Sequence, residues 1–143
     1  MKKALPLIYA CSGCSAAGQL ANALAVQMDR EENAQMSCIS GVGGKVPALL
    51  ALARSGRKII AVDGCAMRCT EQSLREAGVG PDAKIFLAEM SVSKGVGQEF
   101  RPEDLTRLLP EIRRQCAALI IKYESPQFVS VQPFESGFMT ITG

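Results

Sequence analysis

Residues 58–65 of the chain read KIIAVDGC, an apolar run that ends in an acidic residue, a glycine and a cysteine. Lys58 to Val62 is the most strand-like segment, because a compact apolar run with β-branched residues is typical of a strand buried on both faces. The run ends in Asp63, Gly64 and Cys65, so polar and thiol groups follow the strand directly. The segment predicts a central strand of an α/β sheet with functional groups at its carboxyl end.

Predicted strands and helices alternate on either side of this segment. The predicted strands are residues 5–10, 34–39, 58–62 and 84–88, and the predicted helices are residues 15–30, 45–54, 66–77 and 103–123. Strands separated by helices require right-handed crossovers. The expected architecture is therefore α/β: a single three-layer domain with a four-stranded or slightly larger, mainly parallel sheet and helices on both faces.

The last third of the chain leaves alternatives open. Residues 89–101 are polar and contain glycines, so they are predicted to form a loop. Pro110 is expected either to kink the last helix or to start a second one. We place a cysteine-rich α/β domain at residues 1–125 and a tail at residues 126–143. Weak apolar alternation in the tail is compatible with an added hairpin, an added strand or an interface arm.

Bulk composition limits the class of protein. The chain has 143 residues, 48% hydrophobic and 21% charged, which suits one soluble domain with a hydrophobic core. The net charge is +2 and the basic residues form no stripe, so we expect no nucleic-acid partner and no membrane partner. The absence of histidine excludes histidine-dependent catalysis and histidine metal ligands.

The amino terminus and the cysteine usage predict a compartment. The apolar stretch from Ala4 to Ala10 is too short for the hydrophobic part of a secretion signal, and no segment reaches the ~20 apolar residues of a membrane span. We therefore expect a cytoplasmic protein whose thiols stay reduced. Clustered cysteines in that compartment favour metal binding or redox chemistry over structural disulfides.

Five of the six cysteines lie at the ends of predicted strands or just after them. They are Cys11 and Cys14 after the first strand, Cys38 at the end of the second, and Cys65 and Cys69 after the third. Because the carboxyl ends of parallel strands meet at one edge of an open sheet, these thiols are expected to gather there. The sixth, Cys116, lies on the apolar stripe of the last helix and is expected to be a core residue.

The thiol pairs on the first and third loops together supply the four thiolates of a tetrahedral zinc site. In the first loop, Gly13 removes the side chain that would crowd a turn between the two cysteines. In the third loop, a spacing of four residues on a starting helix would put Cys65 and Cys69 on the same helix face. Cys38, from the middle loop, is expected beside the site or as a replacement for one ligand.

Groups around the thiols are expected to offset their charge. Each cysteine loop opens a helix, whose amino terminus would lower thiol pKa values and donate N–H groups to sulfur. Asp63 is expected to cap the following helix, or else to act as a general base or as a hydrogen-bond acceptor beside the metal. The glycine-rich turn of Gly43, Gly44 and Lys45 lacks the spacing of a phosphate-binding loop but is a candidate anion site.

The cysteine motifs resemble those of a known family. CSGCSAAGQLAN at residues 11–22, CISGVGG at residues 38–44 and DGCAMRC at residues 63–69 occur in the order found in the DGC-domain family of zinc-binding proteins. The resemblance spans about residues 5–88. It implies a zinc site built from cysteines, and it leaves open whether the protein is an enzyme. The chain departs from the family's usual pattern at Ala16 and Ala17 and at Ala66, and neither departure replaces a cysteine.

Two other functions stay open beside a zinc-binding protein. C-x-x-C at the end of a strand, entering a helix, is also typical of thiol–disulfide oxidoreductases, in which Cys11 and Cys14 would react. Sets of four cysteines also hold iron–sulfur clusters. The sequence predicts a metal ion as the partner of the site, and it predicts neither a substrate nor a reaction.

Overall fold

The computed structural model of the protein describes residues 3–122. The strands are β1 (Lys3–Ala4), β2 (Leu7–Ala10), β3 (Gln35–Met36), β4 (Ile59–Asp63), β5 (Ala83–Phe86) and β6 (Ile121–Lys122). The helices are α1 (Ala16–Arg30), α2 (Ile39–Gly43), α3 (Pro47–Ala53), α4 (Cys69–Glu76) and α5 (Pro102–Leu119), with a 3-10 helix at Leu87–Met90. The tail predicted at residues 126–143 lies outside the described residues.

Four strands form one parallel sheet in the order β3-β2-β4-β5. The two central strands pair along their length, with Leu7 opposite Ile59 and Ala10 opposite Val62. The chain passes from β2 outward to β3 and then returns to β4 on the other side of β2, so the strand order reverses between β2 and β4. Such a switch point leaves a crevice at the carboxyl ends of the strands. The architecture confirms the predicted single α/β domain with a parallel four-stranded sheet.

Helices cover both faces of the sheet and bury its two central strands, β2 and β4, completely. On one face, Ile8 and Ile60 pack in a core to which α1 and α5 contribute. On the other face, Tyr9 and Ala61 pack in a second core to which α2, α3 and α4 contribute. Each large apolar side chain buried in this way stabilises the fold by ~1.5–3 kcal/mol. Burial on both faces explains the continuous apolar run of β4, because no strand position faces water.

The third cysteine loop is a turn and not the start of a helix. Helix α4 begins at Cys69, so the predicted helix over residues 66–77 starts too early. Arg68, directly before it, has φ 47° and ψ 50°, a left-handed conformation that cannot continue a right-handed helix. The prediction that Cys65 and Cys69 share a helix face is wrong, because only Cys69 is helical.

The glycine-rich middle loop contains a short helix that the sequence analysis did not predict. Helix α2 follows Cys38, whose Sγ accepts a hydrogen bond from the N–H of Gly41 at 3.4 Å. Lys45 then adopts φ 58°, which ends this helix and delays the next one. Helix α3 therefore begins at Pro47 and not at the predicted residue 45.

The last helix continues through its proline. Pro110 lies inside α5, so the alternative that it starts a second helix is wrong. Cys116 is fully buried in the core between α5 and its neighbours, as expected. After α5, strand β6 pairs antiparallel with β1, with Lys3 opposite Lys122. Among the helices described, none combines the length and the apolar character needed to cross a membrane.

Candidate functional site

A pocket of about 210 Å³ lies at the carboxyl edge of the sheet. Four of the predicted ligands line it: Cys11, Cys14, Cys65 and Cys69. Cys11 and Cys14 come from the loop after β2, whereas Cys65 comes from the loop after β4 and Cys69 begins α4. The strand order reverses between β2 and β4. The topology therefore brings thiols separated by more than fifty residues to one cavity, as the sequence analysis expected.

Cys11 is the most enclosed thiol of this pocket. It is 9% exposed, and its Sγ accepts a hydrogen bond from the N–H of Gly64 at 3.2 Å. Burial raises the pKa of the Cys11 thiol, the Gly64 hydrogen bond lowers it, and the nearby Asp63, Cys69 and Cys65 raise it further. The expectation that helix termini lower the thiol pKa values is wrong for Cys11, because burial outweighs the single N–H donor.

The first N–H groups of α1 are bound by oxygen acceptors and not by sulfur. The N–H of Ala16 donates to the carbonyl of Gly95 at 2.9 Å, and the N–H of Ala17 donates to the carbonyl of Lys94 at 3.1 Å. The side chain of Ser15 accepts the N–H of Gly18 at 3.0 Å and so caps the helix. Residues 94–97 thus lie across the start of α1, against the first cysteine loop.

Asp63 accepts hydrogen bonds from N–H groups in the first turn of α4, as Ser15 does for α1. Its two carboxylate oxygens accept hydrogen bonds from Thr70 at 2.8 Å and from Glu71 at 3.1 Å. Asp63 is buried, and a carboxylate at a helix amino terminus is stabilised by both the hydrogen bonds and the helix dipole. These contacts are those of a helix cap, and they hold Cys69, the first residue of α4, at the wall of the pocket.

Two glycines allow the backbones of the cysteine loops to approach closely. A Cβ at Gly64 would lie 2.6 Å from the backbone carbonyl of Ala17, and a Cβ at Gly18 would lie 2.9 Å from the carbonyl oxygen of Ser12. No residue with a side chain fits either place unless backbone moves. The glycines of the motifs CSGCSAAG and DGC therefore set the distance at which the N–H of Gly64 reaches the sulfur of Cys11.

Cys38 lies beside the thiol pocket and is not part of its lining. Its side chain is exposed and caps α2. The next residue, Ile39, lines a second pocket of about 230 Å³. The second pocket adjoins the first, since both are lined by Cys11, Ser12 and Cys69.

The predicted anion turn lies next to the second pocket. Gly43 lines that pocket, whereas Gly44 and Lys45 are not among the residues that line either cavity. Ser40 and Ser73 add hydroxyl groups to the same lining. Of the three residues of the predicted anion turn, Gly43 therefore lies at a cavity, and Gly44 and Lys45 do not.

Sequence reasoning missed two residues at the mouth of the thiol pocket. Lys94 and Met67 both line it, and the Nζ of Lys94 lies 3.6 Å from the Sδ of Met67. The N–H of Gly97 donates to the carbonyl of Cys14 at 3.0 Å, which fastens the segment carrying Lys94 to the first cysteine loop. The only local signal was a pair of glycines in a polar loop, because contacts so distant in sequence leave no periodic pattern.

Arg68 also lines the pocket, with its charge already paired. Its guanidinium lies 4.4 Å from the centre of the Phe86 ring. It forms ion pairs with Glu71 at 3.5 Å and with Glu89 at 3.8 Å. These contacts hold the residue in the left-handed turn that precedes α4.

The donor set of the pocket suits a metal ion in kind. Thiolate sulfur is a ligand of zinc and of iron–sulfur clusters. Within residues 3–122, no three Cys, Asp or Glu side chains converge closely enough to hold an ion as they stand. Cys14 and Cys69 are exposed and Cys65 is half-buried, so these thiols can reorient by side-chain rotation. The residues therefore fit a thiolate site that forms when the side chains turn inward.

Fold and pocket together define a single α/β domain with a cysteine-lined cavity at the switch point of a parallel sheet. The chain belongs to the DGC-domain family, because the family model described as DGC domain matches residues 7–112, which include the whole pocket. It is 48% identical over 110 residues to the anaerobic and virulence modulator AnvM of Pseudomonas aeruginosa, a match covering 77% of this chain and 84% of that relative. No solved structure matches the chain.

Proposed function

We propose that the chain is a zinc-binding protein with a thiolate metal site at the carboxyl edge of its sheet. The proposed ligands are Cys11, Cys14, Cys65 and Cys69, with Cys38 adjacent. The observation that supports this most directly is the convergence of four cysteines from two distant loops on one pocket. A tetrahedral four-cysteine zinc site is closed and structural, so zinc would hold the loops after β2 and β4 together.

The charges around the pocket support anionic sulfur. Zinc with four thiolates carries about two net negative charges. Lys94 lines the same cavity and would offset part of that charge. The N–H of Gly64 already donates to the sulfur of Cys11, the kind of contact that orients and stabilises a ligating thiolate.

The thiol–disulfide oxidoreductase alternative finds less support. Such enzymes attack with an exposed thiol whose pKa is lowered. A dithiol enzyme needs both cysteines of its pair, and here only Cys14 is exposed, whereas Cys11 is buried and burial raises its pKa.

Elemental analysis of protein purified without added metal tests the proposal. We expect about one zinc per chain, no visible absorption, and release of reactive thiols when a strong chelator is added. If the protein instead contains iron and is brown, the bound group is an iron–sulfur cluster and not zinc. Native, reduced protein that holds no metal and whose loop thiols all react freely would contradict metal binding.

Two cysteine variants give a matched comparison. Cys65→Ser removes one proposed ligand, so we expect most of the bound zinc to be lost. Cys116→Ala removes a thiol that is buried in the core away from the pocket, so the zinc content should stay unchanged. Equal zinc content in both variants would remove Cys65 from the ligand set.

A further inference from the structure

The thiol pocket is larger than a metal ion requires. Zinc bound at about 2.3 Å by four sulfurs fills the space between its ligands. Here the cavity measures about 210 Å³ and adjoins a second of about 230 Å³. Since a cavity needs only ~10–15 Å³ to hold one water, the first pocket alone has room for a small organic molecule.

Lys94 provides a positive charge at the mouth of this pocket. In the part of the chain that the structure describes, its ammonium forms no ion pair, and its polar contact is the Sδ of Met67 at 3.6 Å, a weak acceptor. The backbone of Lys94 is fixed, because its carbonyl accepts the N–H of Ala17 at 3.1 Å. The lysine is therefore positioned over the pocket while its charge stays available to a ligand.

The other charged groups of the pocket are already paired. Arg68 is bound to two glutamates and rests on an aromatic ring. Asp63 accepts two N–H groups of α4 and is buried. The charge left for a ligand is that of Lys94, so the pocket favours a small anion over a neutral or cationic molecule.

The walls of the pocket carry five sulfur atoms. They belong to Cys11, Cys14, Cys65, Cys69 and Met67. Among the four thiols, Cys14 and Cys69 are exposed. A ligand that enters from solvent beside Lys94 therefore meets accessible thiols, whose characteristic partner among small molecules is another sulfur.

We propose that the thiol pocket binds a small anionic sulfur compound, a low-molecular-weight thiol or its disulfide that carries a carboxylate. Lys94 holds the carboxylate, and the sulfur of the compound reaches the exposed Cys14. This inference rests on the proposed function only in that both use the same reduced thiols.

Exchange with an anionic disulfide converts this binding into a measurable reaction. The Cys14 thiolate attacks one sulfur of the disulfide, and a new S–S bond forms between them. The original S–S bond breaks, and its second sulfur leaves as a thiolate with the bonding electron pair and takes a proton from water. The Cys14 sulfur is oxidised and the leaving sulfur is reduced, so atoms and electrons balance.

The test uses the full-length protein, reduced and treated with a chelator. It is mixed with dithiodiglycolate, which is anionic, hydroxyethyl disulfide, which is neutral, or cystamine, which is cationic. Peptide mass spectrometry follows the mixed disulfide at Cys14 over a range of reagent concentrations. We expect the rate to saturate with the anionic reagent, and to stay slower and linear in concentration with the cationic one.

Substitution of Lys94 separates binding from chemistry. In Lys94→Gln the half-saturating concentration of dithiodiglycolate should rise about threefold to tenfold with the limiting rate unchanged, the effect of losing one charge contact near the surface. Lys94→Arg should stay close to the unmodified protein. Lys58→Gln is the control, because Lys58 precedes β4 at the opposite edge of the sheet and pairs with Asp82 at 3.0 Å.

Two results would overturn the inference. One is a rate that stays linear in dithiodiglycolate concentration, and the other is a Lys94→Gln variant that behaves like the unmodified protein. Zinc content, measured on the same preparations before chelation, reports on the proposed function separately. Protein with zinc but without the anion preference overturns only this inference, whereas protein with the preference but without zinc overturns only the zinc site.

Discussion

At the scale of single residues, Gly64 connects the sequence motif to the pocket. Its N–H donates to the sulfur of Cys11, and its missing side chain lets this loop touch the start of α1. The requirement for glycine here is steric, since the obstacle is the backbone of Ala17 and not a side chain that could move aside. A change of one methyl group should therefore disturb both the fold and the thiol site.

We expect Gly64→Ala to lower the free energy of unfolding by about 2–4 kcal/mol, because the new Cβ forces the Gly64 loop and the first turn of α1 apart. Urea denaturation followed by circular dichroism measures this loss. Gly80→Ala is the matched control, since a Cβ there meets nothing within 4 Å, and its effect should stay below ~0.5 kcal/mol. Equal stability of the two variants would contradict the close approach.

Cys116 makes the free energy of unfolding depend on pH in the alkaline range. Burial raises the pKa of its thiol from 9.0 to about 11. The unfolded chain releases this proton at lower pH than the native state, so stability is fully present below pH 9 and falls as pH rises towards 11. Between pH 8 and pH 10 we expect the unmodified protein to lose about 1 kcal/mol more than Cys116→Ala. Urea titrations of both proteins at the two pH values measure this difference, and equal losses would contradict it.

The sequence predicts the role of a residue where its type and its place after a strand point to the same site. It does not predict a property, such as a pKa shift, that depends on how deeply the side chain is buried. The sequence placed Cys11 at a strand end because apolar residues precede it. It could not show that the same thiol is enclosed, which reverses the expected direction of its pKa shift. It also could not place Lys94, since nothing near that residue in the chain indicates contact with the first loop.

At the scale of secondary-structure elements, helix α4 depends on a cap from the preceding strand. Asp63 accepts two N–H groups that α4 would otherwise leave unpaired, and the left-handed Arg68 aims the helix at the pocket. The predicted start of this helix at residue 66 lies before its true start at Cys69. Backbone conformation at one residue, which leaves no trace in hydrophobic periodicity, sets the true start.

We expect Asp63→Ala to destabilise the protein by about 1–3 kcal/mol, because the buried N–H of Thr70 and the half-buried N–H of Glu71 lose their acceptor. Asp63→Asn keeps one acceptor oxygen, so its free energy of unfolding should lie between those of Asp63→Ala and the unmodified protein. Chemical denaturation provides the measurement. Glu111→Ala removes a carboxylate that pairs with Arg114 on the surface of α5 and should cost less than ~0.5 kcal/mol. A loss for Asp63→Ala as small as this would show that the cap is energetically unimportant.

At the scale of the whole molecule, the alternation of strands and helices was sufficient to predict the sheet. Right-handed crossovers and coverage of both faces leave few arrangements, and the pocket then has to lie at the carboxyl edge. The strand order β3-β2-β4-β5 is a property of the folded chain, since nothing within β2 or β4 records which strand is its neighbour. The same holds for the second pocket, which α2 and α4 form jointly.

Zinc at the proposed site would stabilise the domain as a unit, because its ligands follow the two central strands. With free zinc about a hundredfold above its Kd, the free energy of unfolding should rise by about 2.7 kcal/mol, and a chelator should remove that gain. Differential scanning calorimetry with and without chelator measures the effect. Cys65→Ser should show no response to either addition. An unmodified protein whose Tm ignores zinc and chelator would contradict a site that joins the loops.

The pairing of β1 with β6 has a practical consequence. Lys3 is opposite Lys122 in the register of this pair. Arg57, two residues before β4 begins, donates a guanidinium hydrogen bond to the carbonyl of Leu5 at 2.6 Å. These contacts hold the start of the described chain at the amino edge of the sheet, while the thiols open at the other edge. An affinity tag or a sensor surface attached ahead of residue 3 would therefore leave the thiols facing solution, and immobilised protein would be accessible to reagents without re-engineering.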